Sequence, residues 1–174
     1  MTHSATEIAA LAQKAARGAG FPAAQAEHFG RVAALHLGAG RDEAALLDAL
    51  QDPSDSAILR LPLLMDDVLR AVALAGKDVS LSLHPGDEHL VLSYARWLPM
   101  RLTACAVRPE TDSHQARLEL SADPAVPARP ALPARISASP DLMETMGALA
   151  AKTYVPATEA SRSAGAGAGD IDND

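Results

Sequence analysis

The chain has 174 residues, is 48% hydrophobic but only 3% aromatic, and carries a formal net charge of −7. That length supports one aliphatic core rather than two domains. The acid excess argues against nucleic acid, whose phosphates reward a basic face, and against anionic membrane surfaces, and no apolar run reaches the length of a membrane span. A single cysteine, Cys105, rules out an intrachain disulfide, and the start of the chain lacks a signal-peptide pattern; both point to the cytoplasm.

Ser4 with Glu7 reads as a capping box opening a helix over 5–17, whose Ile8, Leu11, Ala12 and Ala15 recur at helical spacing and which Gly18 and Gly20 stop. Pro22 begins a second helix over 22–37, ended by Gly38 and Gly40. Asp42 and Glu43 open a third over 42–50, closed by Asp52 and Pro53. A fourth is predicted over 62–75, with Leu64, Val68, Val72 and Leu74 apolar and Gly76 at its end.

From Val79 the period changes to two. VSLSL, a Pro- and Gly-bearing turn over 84–88, and HLVLSY predict a β-hairpin. Residues 100–107 and 116–120 predict a second strand pair, giving an antiparallel sheet of four strands, with 135–138 as a fifth. Four prolines between 121 and 134 predict an extended connection. Ser139 and Pro140 start a last helix over 140–151. Helices before and after a run of adjacent strands imply an α+β fold in one domain, residues 1–152, followed by a Gly/Ala/Asp-rich tail, 153–174.

That tail, TYVPATEASRSAGAGAGDIDND, is the most distinctive stretch. Gly165, Gly167 and Gly169 alternate with alanine and leave backbone N–H groups open to a phosphate or carboxylate, with Ser161 and Arg162 suited to the same oxyanion; a plain packing segment is the alternative. Because Gly and Ala gain little by burial, ordering it falls to backbone hydrogen bonds and to Tyr154, Glu159, Ser161 and above all Arg162. Asp170, Asp172 and Asp174 have the spacing of the first calcium ligands in an EF-hand loop, but no turn Gly or closing Glu follows, so a solvated acidic end is the expectation and no metal site is assigned.

Elsewhere the chemistry is sparse. His84 and His89 flank a turn with Asp87 and Glu88 but lack tight metal-ligand spacing, and His28 with His36 share a helix face slightly over two turns apart. Cys105 sits among alternating apolar residues and reads as buried and unreactive, and Trp97 as a core residue. No nucleophile elbow, P-loop or Cys-x-x-Cys pair is present.

KAARGAG at 14–20, TYVPATEASR at 153–162 and the closing GAGAG with DND resemble a bacterial family of uncharacterised proteins, domain of unknown function 3726. The resemblance implies a bacterial protein and assigns no activity, cofactor or catalytic residue. It places Thr153, Tyr154, Pro156, Glu159, Ser161, Arg162 and the glycines where the family pattern has them. Two functional readings follow from the residues. One is a binding or assembly protein whose tail, about 65 Å long when extended at roughly 3.3 Å per residue, packs on a pocket or crosses to the partner in a homodimer. The other is an enzyme acting on a small anionic metabolite, with Arg162 orienting the substrate and Tyr154 or Glu159 moving a proton.

Overall fold

The computed structural model describes residues 1–109 and 115–153. Its architecture is α+β. A two-residue strand, β1 (Thr2–His3), leads into α1 (Ala5–Ala19), where Ser4 Oγ accepts from Glu7 N at 3.2 Å and Glu7 Oε2 accepts from Ser4 N at 2.6 Å, the capping box the sequence carries. Gly20, in the left-handed region at φ 106°, ends α1. Gly18 does not stop the helix. It lies inside α1 where the backbone of α6 (Pro140–Ala151) approaches so closely that a Cβ would sit 1.8 Å from the Leu149 carbonyl oxygen.

α2 (Ala23–Gly38) is the axial helix, with Val32 through Leu37 buried in an unbroken run. A helix buried all round needs apolar or small residues on every face, and VAALHL over 32–37 supplies them except at His36. α1 packs along it, Gly30 allowing the approach: a Cβ there would lie 2.5 Å from the Ala9 carbonyl oxygen. α3 (Ala44–Ala49) is short, and Asp42 Oδ1 accepts from Ala44 N at 3.0 Å at its start. α4 (Ala57–Ala75) begins five residues earlier than the sequence suggests and carries Pro62 within it. Ser56 explains the early start: its Oγ accepts from Ile58 N at 3.1 Å and donates to the Ala49 carbonyl at 2.6 Å. The buried stripe Ile58, Leu61, Met65, Val68 and Val72 spans the proline. At about 1.5–3 kcal/mol per buried side chain it outweighs the ~3 kcal/mol a mid-helix proline costs.

The main sheet has three strands rather than the four to five expected. β2 (Asp78–Ser82), β3 (Met100–Pro109) and β4 (Ala116–Pro127) run antiparallel in the order β2-β4-β3, so β4 is central and β3 an edge. Leu118, Leu120 and Ala122 alternate inward from β4, and Val79 and Leu81 of β2 register with Leu120 and Leu118. The segment read as the second strand of a hairpin with β2 is instead a 3₁₀ turn (Asp87–His89) followed by α5 (Val91–Ala95). So short an apolar run fits either period; Leu90, Val91, Tyr94 and Ala95 are buried together as one helical face. Tertiary ties favour that choice. Asp87 is gripped by Arg60 of α4, with Nη2–Oδ1 2.7 Å and both Nε–Oδ distances 3.2 Å, and Ser93 is bonded to His36 of α2 at 2.9 Å. β5 (Ile136–Ser137) is a strand, but it pairs antiparallel with β1 and not with the main sheet. The prolines at 124 and 127 fall within the far end of β4, beside the register shifts that bend its pairing with β3.

No helix among the described residues is long and apolar enough to cross a membrane.

Candidate anion-binding cavity

The end of α2, Arg41 just beyond it, α5 with Arg96, the first half of β3 and the extended stretch 128–133 line an open cavity of about 740 Å³. Among the described residues four arginines line it: Arg41, Arg96, Arg101 and Arg129. Among the described residues no aspartate or glutamate does. Arg101 is engaged by Asp123 at 3.1 Å, whereas Arg41, Arg96 and Arg129 have no carboxylate partner among the described residues. Between them the wall is apolar, with Leu35, Leu92, Met100, Leu102 and Leu132.

Arg41 is the most constrained of the four. His36 is buried at 1% exposure, and its Nε2 lies 2.8 Å from the Asp42 carbonyl oxygen, a pure acceptor, so Nε2 carries the proton. Burial first, and then the neighbouring Arg41, hold His36 below its usual pKa and keep the ring neutral, although the Asp42 carbonyl works the other way. Nδ1 then accepts from the Ser93 hydroxyl at 2.9 Å, and the Ser93 oxygen accepts from Arg41 Nη1 at 3.4 Å. Asp42, His36, Ser93 and Arg41 thus form one directed chain ending at the cavity. Ser93 and His36 are each 1% exposed and line no part of it, so their pairing positions Arg41. Burial, and next the charge of Arg96, disfavour the Arg41 cation. Both effects are relieved by an anion between the two guanidinium groups.

No family model, curated protein or solved structure matches the chain.

The residues singled out in the tail, Tyr154, Glu159, Ser161, Arg162, Gly165, Gly167 and Gly169, lie outside the described residues, as do Asp170, Asp172 and Asp174. Cys105 is half-buried rather than buried, at the edge of the arginine-lined cavity; burial pushes its thiol pKa up while Arg41 and Arg96 pull it down. Trp97 does not seal the core: it is half-buried, with the Arg31 guanidinium 5.3 Å from its ring centroid. His84 and His89 are exposed, and Asp87 between them is committed to Arg60; no group of three or more potential ligands among the described residues is placed to hold a metal ion. The cavity arginines escaped notice in the sequence because they fall in three unrelated stretches, GAGRDE, ARWLPMR and PARPALPAR, that share no motif. Only the topology brings them together.

Proposed function

We propose that this chain is a cytoplasmic binding protein that takes an anionic group, a carboxylate or phosphate carried on an apolar body, into the arginine-lined cavity. The observation that carries the reading is the gathering of Arg41, Arg96 and Arg129, without carboxylate partners among the described residues, around a half-apolar hollow in a protein of net charge −7. Guanidinium groups left near one another repel, and a fold holding them so gains from an anion between them. The apolar residues between the arginines favour a ligand with a hydrophobic portion.

Binding is favoured over hydrolytic chemistry by the placement of Ser93 and His36. A Ser–His pair resembles an activated nucleophile, but this one is sealed behind the wall, where a substrate cannot meet Ser93 Oγ.

Isothermal titration with citrate, phenyl phosphate and inorganic phosphate tests the reading. Phenyl phosphate is expected to bind more tightly than phosphate, and Arg41→Gln or Arg96→Gln to weaken binding about tenfold or more, since about 1.4 kcal/mol of lost contact is a factor of ten. Arg70→Gln, on the exposed side of α4, serves as the control and leaves affinity unchanged. Absence of binding by all three anions at millimolar concentration, or equal affinities in the arginine variants, refutes it.

A further inference from the structure

Six successive residues of β3, Met100 to Cys105, border the cavity. β3 is an edge strand of the sheet, and a hollow bordered by six of its residues in a row, through two register shifts, follows the strand's length rather than one face. Thr103, the extra residue at the register shift, and Ala104 beside it are both exposed. Among the described residues β3 pairs with β4 alone, and its outer edge carries no strand. A row of outward backbone N–H and C=O groups therefore stands beside guanidinium groups that lack carboxylates. Either feature alone is common; together they match one kind of ligand.

We infer that the physiological occupant is an acidic segment of a partner protein that adds in extended form to the free edge of β3, its backbone pairing with the strand and its carboxylates meeting Arg41, Arg96 and Arg129. The inference rests on the anion-binding reading above and names its ligand class. Strand addition draws affinity from the main chain and specificity from alternate side chains, which an acidic residue at every second position provides on one face. The register shift between Leu102 and Ala104 fits this selectivity. A bulge on an edge strand discourages indiscriminate pairing, so a strand that also satisfies the arginines has an advantage over one that does not.

The test uses the full chain and a short peptide alternating Val and Asp, blocked at both ends, followed by titration and by amide chemical shifts. Three companions are needed: the same peptide with Asn for Asp, the same peptide N-methylated at alternate residues, and citrate. Expected are shifts at residues 100–105, and affinity falling about tenfold or more both for the Asn peptide and for the N-methylated peptide, whose charges are intact but whose backbone cannot pair. If citrate binds and N-methylation has no effect, strand addition is wrong while the anion site stands. If neither citrate nor any peptide binds, both readings fall. Two further results overturn the choice of occupant: a gain in peptide affinity when Asp170 and Asp172 are replaced by Asn, which would make the chain's own acidic end the occupant, and a dimer that the peptide dissociates, which would make it a second copy.

Discussion

Lowering the pH should loosen this protein through His36 before it does so through the carboxylates. His36 has a folded pKa below its ordinary value near 6.5, so the unfolded chain takes up a proton at a pH where the folded one does not. Its contribution to stability is complete above about pH 6.5 and is lost progressively as the pH falls toward the folded value. The slope cannot exceed about 1.4 kcal/mol per pH unit for one group. Protonation would also turn Nδ1 into a donor aimed at Ser93 Oγ and add a cation beside Arg41, undoing the chain that positions the guanidinium. Urea unfolding from pH 8 to 5 measures this: the midpoint should hold above pH 7 and decline below pH 6.5, and His36→Gln should flatten that decline whatever its overall cost. A decline equally steep in the variant would show that other groups cause it and that the His36–Ser93–Arg41 chain has been misassigned.

The clamp between α4 and the 3₁₀ turn should be asymmetric. Arg60→Met strands the Asp87 carboxylate, 4% exposed, and is expected to cost about 3–5 kcal/mol, whereas Asp87→Asn leaves Arg60, 28% exposed and also paired with Asp55, and should cost about 1–2 kcal/mol; equal shifts in urea midpoint would contradict this. Gly18→Ala should destabilise by about 1–3 kcal/mol in thermal unfolding, despite the ~1 kcal/mol helix-propensity gain, because the added methyl meets the Leu149 carbonyl; a rise in Tm would show that α6 yields freely. Cys105 should react with a disulfide reagent at pH 7 about tenfold or more slower than the unfolded chain, and slower still with citrate present; a rate matching the unfolded chain would mean the thiol is open to solvent.

The helices were legible because their signals are local: the Ser4–Glu7 box, Pro140 after Ser139, and stripes at helical spacing all lie within a few residues of one another. The change of period at Val79 correctly announced β2, and the pairing of 100–107 with 116–120 held within the longer β3 and β4. What failed was decided at a distance. Whether Leu90–Tyr94 is strand or helix depends on Arg60, thirty residues away, and on His36, more than fifty away, neither of which the run itself reveals. β5 was correctly seen as extended but finds its partner at Thr2 and His3, across nearly the whole chain. The early start of α4 was hidden by weighting Pro62 as a beginning when Ser56, bonded back to Ala49, already supplied one. The cavity is the extreme case, since Arg41, Arg96, Arg101 and Arg129 share no period and no motif.

A chain of net charge −7 that keeps several arginines about one hollow separates two ranges of electrostatics. At physiological ionic strength charges more than about 8 Å apart are largely screened, so an approaching anion scarcely meets the protein's overall charge until it reaches the cavity mouth. There the local guanidinium groups, a few ångströms from the anion, dominate. As salt is lowered the distant acids come back into play and oppose entry, while the arginines gain strength, so the two effects partly cancel. Affinity for a small anion should consequently depend on salt less steeply than the number of arginines alone would give, and the dependence should steepen when surface acids remote from the cavity, such as Asp66 and Asp67 on α4, are replaced by their amides. A full arginine-count slope in the wild type would mean that the overall charge is felt nowhere near the site, and that the acid excess serves solubility alone.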